Sequence, residues 1–449
     1  MLSIVATETS ALTVISVPAV AARGDLTFLQ LSFGYLLGRI VVSYWLLPGY
    51  FKGNQETAYK RLETRFGIRT RRLASAVFLI TRFLGDSVRV FASAIPLAIL
   101  AGWNIPLSII AMSLVTVVYT WHGGLKAVVW VDVLQLLVYL AGGLAALWIA
   151  WELAGGASEA IAAAGTAGKL TLLNPVFNLT STYSLAGGLI GGAMLSAASH
   201  GTDQLIVQRV LASRSLKAGR FALIGSGVVV ILQFLLFLLI GSAIWAAGLA
   251  PDTLRPDEIF PRFVTQYLPA GLAGLVIAAI MAAAMSTQSS AINALASSMT
   301  HDWYAGMTGR NDPVHLLRVG RWFSLIWAVA ITLGALAFHY FAGGQNTPAV
   351  VLALSIASVT YGALLGTYIL ATRFARVRGQ DVLVGMTVTV FLMLVTVFAG
   401  RISGVTGFEW LAPLGRLAWP WYVPIGTLIT VVTGLGASAF GRLKEEGTP

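Results

Sequence analysis

The sequence predicts an all-α polytopic membrane protein. About twelve transmembrane helices are expected, a 5+5 inverted-repeat core followed by two peripheral C-terminal helices. Three observations carry this. Of 449 residues, 57% are hydrophobic and only 10% charged, against about 25% charged in a soluble domain. The mean hydropathy of +0.81 is spread over the whole length, as a chain with many spans requires. The links between apolar segments alternate between strongly basic and nearly uncharged, which is the charge signature of a multi-pass topology.

Twelve segments are apolar over enough residues to span, allowing for tilt. They run roughly 2–22, 28–50, 73–101, 104–121, 127–150, 181–202, 217–247, 266–298, 318–342, 347–372, 380–400 and 420–441. The link after the second, "KGNQETAYKRLETRFGIRTRR", holds seven Lys and Arg. Basic links follow every second segment, so both termini are expected in the cytoplasm of a cytoplasmic (inner) membrane. The net charge of +11 is thus a topology signal, and no nucleic-acid partner is expected. The opening "MLSIVATETSALTVISVPAVAA" is apolar at once and has no basic lead-in, so it reads as a first helix rather than a signal peptide.

The whole chain, 1–449, reads as one transporter domain. Residues 1–150 and 181–372 form two five-segment halves, 380–441 hold the two extra helices, and 442–449 are a cytoplasmic tail. An odd number of segments per half gives the halves opposite orientation, the architecture of many secondary transporters. In such folds the first helix of each half is often broken. Segment one has Pro18 behind "ATETSALTVIS", and segment six has Gly187, Gly188, Gly191 and Gly192. Close helix packing is the alternative role for those glycines.

Other classes are excluded. There are no cysteines, so neither disulfides nor thiolate metal sites. The five histidines form no ligand-spaced pair, and no phosphate-binding loop or nucleophile elbow is found. The chain does not read as an enzyme, and no cofactor is expected.

The informative residues are polar ones at membrane depth. Glu8 lies in the first segment, where a carboxylate is a functional candidate, though it is close to the N-terminus. Arg39 is a cation in the second segment. The third carries Arg82, Asp86 and Arg89, one acid between two bases. That leaves one positive charge over, which is either structural pairing or a field that favours an anionic solute. Asp132 opens the fifth segment, where a helix-start acid is also favoured by the dipole. Asp203 ends the sixth and is expected to bond locally to Gln204, Gln208 or Arg209. In the eighth, "MAAAMSTQSSAIN" places Ser286, Ser289, Ser290 and Asn293 on one helical face with Ser297, with Thr287 beside it. A lone membrane serine usually bonds its own i−4 carbonyl. A stripe of oxygens suits a hard cation such as sodium, held loosely enough to be released.

These motifs together resemble the sodium:solute symporter family, most clearly in "GGLKAVVWVDVLQ", "GTDQLIVQRVLASRS" and "AAAMSTQSSAINALASSMTHDWY". The resemblance implies the leucine-transporter-like fold. It implies a sodium site formed by carbonyls of Ala6, Thr9 and Ala283 and hydroxyls of Ser286 and Thr287. A second sodium site, present in some members, would use Asp132, Ser286, Ser289 and Ser290. Glu8 falls where the family's proline carriers have a sensitive acid. The solute is expected among core helices one, two, three, six, seven and ten, with Thr13, Ser199 and His200 facing it and Arg82 and Arg89 drawing an anion. Sugar carriers of the family have a tyrosine gate where Ser199 stands, so a sugar-stacking gate is not expected. Family members also usually carry a helix before the first core helix.

The expected function is a sodium-coupled secondary active symporter that imports a small organic solute, an organic anion by the arginines, through the lipid bilayer. Sodium is the coupling ion and the only metal. Two rivals stay open: a proton-coupled carrier of the same fold, with Glu8 or Asp132 as acceptor, and a membrane sensory or regulatory module.

Overall fold

The computed structural model describes residues 11–51, 58–122, 125–211, 213–342, 347–405 and 407–446, with backbone alone at 119, 121–122, 125–133, 208–209, 342 and 441–446. Every regular element among them is helical. Each of the twelve apolar segments holds a helix. The first half gives α1 (Ala11–Arg23), α2 (Leu29–Trp45), α3 (Ile68–Ala101), α4 (Ile105–His122) and α5 (Leu125–Leu153). Next come α6 (Gly192–Thr202), α7 (Leu216–Ala246), α8 (Ala270–Ser298), α9 (Pro313–Ala342) and α10 (Ala349–Arg373). Two more follow, α11 (Gly379–Ile402) and α12 (Tyr422–Glu446). By length and hydropathy eight helices among the described residues qualify as spans. The other four, α1, α2, α4 and α6, are shorter over the described residues: Ala11–Arg23, Leu29–Trp45, Ile105–Val118 and Gly192–Thr202.

The interruption of segment six lies elsewhere than its glycines. Gly187–Gly191 form one π-helical turn that runs straight into α6. The glycines serve packing: a Cβ on Gly188 would lie 2.7 Å from Gln30 Cβ, and one on Gly192 would lie 2.7 Å from the Leu31 carbonyl. They let α6 rest on the backbone of α2, a contact that side chains would hold open. The helix breaks at Asp203, whose backbone is extended. Its carboxylate accepts a bond from the Leu205 amide at 2.9 Å and so starts the next short helix, Gln204–Leu211. Asp is among the preferred residues at a helix N-cap.

Around this pair, α1 packs on α7, α2 on α6 and α7, and α3 on α8, α9 and α10, while α11 and α12 lie against α10. A helix at Pro256–Tyr267 joins α7 to α8 and covers the end of α1. Large apolar side chains such as Trp148, Phe221, Leu333 and Phe391 point outward and are mostly exposed, as a surface that meets hydrocarbon requires. At the other end Arg71 bridges Glu63 at 2.5 Å and Asp302 at 2.7 Å, tying α3 to the π-helical turn Met299–Tyr304 after α8.

Candidate functional site

A cavity of about 170 Å³ lies where α1, α2, α3, α6, α7 and α10 converge, with Thr287 of α8 at its edge. These are the six helices that the family resemblance implies for the solute. Thr13, Arg82, Arg89, Ser199 and His200 all line it. Arg39 lines it too, and its Nη1 donates to Ser226 Oγ on α7 at 2.9 Å. Tyr35, Ser196, Asp203, Gln233 and Tyr361 add polar groups, and Phe234, Val350 and Ala353 are among the apolar ones. Ser199 Oγ lies 2.8 Å from His200 Nδ1, and the same ring nitrogen lies 3.0 Å from the Ser196 carbonyl, so α6 fixes the imidazole.

The charges are arranged across helices. Arg89 pairs with Asp86 one turn away, and Arg82 Nη1 lies 3.7 Å from the same Asp86 oxygen. Arg82 also reaches Asp203 at 3.2 Å, and Tyr361 of α10 donates to Asp203 at 2.6 Å. Asp203 is 0% exposed. The local bond of Asp203 is to the Leu205 amide, one residue beyond the expected Gln204, and the side chains of Gln208 and Arg209 lie outside the described residues. Its amide contact goes to Leu205, and its charge goes across the cavity to Arg82, a partner the helical spacing alone does not show. Arg39, Arg82 and Arg89 bring three guanidinium groups to the cavity, and among the described residues Asp86 and Asp203 pair with Arg82 and Arg89. Such a cluster favours an anion.

The oxygens of α8 are divided between two sides. Thr287 Oγ1 donates to the Ala283 carbonyl at 2.9 Å, so these two expected sodium ligands are adjacent, and the hydroxyl keeps lone pairs to offer. Ser286 is half-buried. Ser289 is buried and lies 2.9 Å from Thr120 Oγ1 of α4. Ser290 is half-buried, and Asn293 opens with Thr120 onto a separate cavity beside α9. Ala6, Glu8 and Thr9 lie outside the described residues, as does the side chain of Asp132. Two contributors escaped the sequence reading. Tyr361 gave no signal in an apolar helix. Gln288 sat inside the quoted motif, but off the stripe that drew attention.

The sequence model of the Sodium:solute symporter family matches residues 1–389. The chain is 27% identical over 434 residues to the sodium/sialic acid symporter SiaT of Proteus mirabilis (strain HI4320), covering 94% of this chain and 87% of that protein. It is 26% identical over 443 residues to human sodium-coupled monocarboxylate transporter 2, covering 95% of this chain and 68% of that one. A sodium-coupled sialic acid symporter solved in a substrate-bound, outward-open state superposes with a TM-score of 0.82 at 26% identity, over 98% of this chain and 89% of that one.

Proposed function

The chain belongs to the sodium:solute symporter family, and from that premise we propose that it carries a small organic anion, with the arginines of its central cavity as the anion's seat. It is a sodium-coupled symporter of a small organic solute and an integral multi-pass membrane protein, not an enzyme. The fold is leucine-transporter-like. The observation that carries the anion reading is the convergence of three arginines, Arg39, Arg82 and Arg89, on one cavity. The names of the relatives support it, since sialic acid and monocarboxylates are carboxylates. Arg89, half-buried and paired with Asp86, is the donor for the carboxylate. Arginine meets a carboxylate with two parallel N–H donors.

Sodium in the main site would be held by Ala6, Thr9, Ala283, Ser286 and Thr287, bridging the first segment to α8. A second ion would use Asp132 with Ser286, Ser289 and Ser290. The halves 1–150 and 181–372 would then rock about the cavity, opening it to each side in turn. The protein would sit in the inner membrane with its C-terminus in the cytoplasm. Each sodium adds about 2.3 kcal/mol of drive per 100 mV. Arg82, Asp203 and Tyr361 tie α3, the break after α6, and α10 together on the side of the basic links. That cluster is suited to be the inner gate.

The test is uptake into proteoliposomes driven by an inward sodium gradient. Sialic acid, several monocarboxylates and a neutral sugar would be offered. Anion uptake that needs sodium is expected. Sodium-dependent uptake of the neutral sugar alone, unaltered by Arg89→Ala, contradicts the anion reading. Uptake driven by a pH gradient in sodium-free buffer contradicts sodium coupling.

A further inference from the structure

We infer that α3 and α8 hold a further cation site beside the solute cavity, formed by Asp86, Gln288, Thr287 and Ser93. A small void of about 10 Å³ lies between α1, α3 and α8. Asp86, Ser93, Thr287 and Gln288 line it. Asp86 is 2% exposed, and its Oδ1 is taken by the two arginines. Its Oδ2 has no hydrogen-bond partner among the described residues. Gln288 is also 2% exposed, and its amide nitrogen donates to Ser113 Oγ on α4 at 3.2 Å. Its Oε1 likewise has no partner. Two residues that line one void thus each carry a buried oxygen with no donor among the described residues, costly unless something supplies positive charge or a proton.

The void has room for one particle of water size. A carboxylate, an amide oxygen and two hydroxyls make an all-oxygen set, which hard cations prefer. The site deepens the sodium-coupled reading and rests on it, so sodium is its occupant. It differs from the two sites expected from sequence in using α3, which contributes to neither. Arg89 and Thr287 line both the void and the solute cavity, so they form the partition between them. Arg89 repels a cation at Asp86 while Asp86 is its counter-charge, and Arg82, shared with Asp203, adds to that repulsion. An anionic solute that engages Arg89 from the cavity side shifts that arginine's charge toward itself and strengthens the hold of Asp86 on a cation. Cation and solute therefore raise each other's affinity, by the same factor in both directions.

The experiment counts radioactive sodium bound to the purified full chain and measures the sodium dependence of uptake. Gln288→Leu removes one oxygen and leaves the Asp86–arginine pairs in place. It is expected to bind one sodium fewer, and to need about tenfold more sodium for half-maximal uptake. Gln288→Glu, which keeps an oxygen there, is expected to retain the count. Asp86→Asn is expected to lose the same ion, and the glutamine variants decide the matter if it does not fold. A full sodium count and unchanged half-saturation in both Gln288→Leu and Asp86→Asn overturn the site, leaving water as the occupant. A pH dependence of uptake at saturating sodium that Asp86→Asn abolishes, with the sodium count unchanged, also overturns it, in favour of a proton. No sodium binding at all in the unaltered protein sinks the sodium-coupled reading itself, a different failure.

Discussion

Arg82 and Arg89 are two turns apart on one helix, yet their duties differ because their neighbours do. Arg82 is held by two acids, Asp86 and Asp203, and its side chain is only 9% exposed. Arg89 shares Asp86 and is more open, at 26%. Arg89→Ala is therefore expected to weaken uptake of an anionic solute by about 100-fold in half-saturation, about 2–3 kcal/mol, in proteoliposome assays. Arg89→Lys should fall between, because it keeps the charge and loses the fork. On α8, Ser286→Ala combined with Thr287→Ala is expected to abolish sodium dependence. Persistent sodium dependence in that double variant would exclude the main site. The triplet on α3 and the stripe on α8 were legible because helical periodicity fixes which residues share a face. Gln288 and Tyr361 were not legible. Each matters through a partner more than seventy residues away in the chain, Ser113 and Asp203, and periodicity carries no such information.

At the scale of elements, the break after α6 places Asp203 in the wall of the cavity. Asp203 does three things there: it starts the next helix, pairs with Arg82 and accepts from Tyr361. Asp203→Asn keeps an oxygen for the Leu205 amide and gives up the charge. The inner side is then expected to open more often. The chain has no cysteine, so a single cysteine at Ser199 can be labelled without background. Labelling from the side of the basic links should rise several-fold in the Asp203→Asn background, and an unchanged rate would argue against a gate. Close packing has its own test. A Cβ on Gly241 of α7 would lie 1.9 Å from the carbonyl of Pro18 in α1. Gly241→Val should cost about 1–3 kcal/mol of stability, read by thermal unfolding in detergent. The twelve helical segments were readable as runs of apolar residues. The position of the break was half readable: an acid after Gly-Thr is an N-cap signal, but the adjacent glycines drew the expectation to themselves.

At the scale of the whole molecule, the side opposite the basic links is joined by one buried carboxyl. Asp257, on the connecting helix outside the spanning segments, accepts from Ser16 of α1 at 2.5 Å and from the Ala349 amide that begins α10 at 3.1 Å. Burial raises its pKa from 3.8 to about 6, against the lowering effect of those two donors. The unfolded chain releases this proton near pH 4 and the folded one near pH 6, so between those values the folded state binds more protons. Stability should therefore rise as pH falls from about 6 to about 4, by up to about 3 kcal/mol. Asp257→Asn should remove that rise, with a higher melting temperature at pH 7.5 and little change near pH 4.5. A pH profile identical to that of the unaltered protein would show that the carboxyl plays no such part. The sequence by itself determined the membrane class, the apolar segments and, through its motifs, the family, because all of these follow from composition, period and local motif. The tertiary structure alone decided that Asp203 answers Arg82, that Asp257 clasps α1 to α10, and that Asp86 and Gln288 share one void. Those contacts join residues 92 to 241 positions apart, and a charge or an orphaned oxygen acquires its role only when packing excludes water around it.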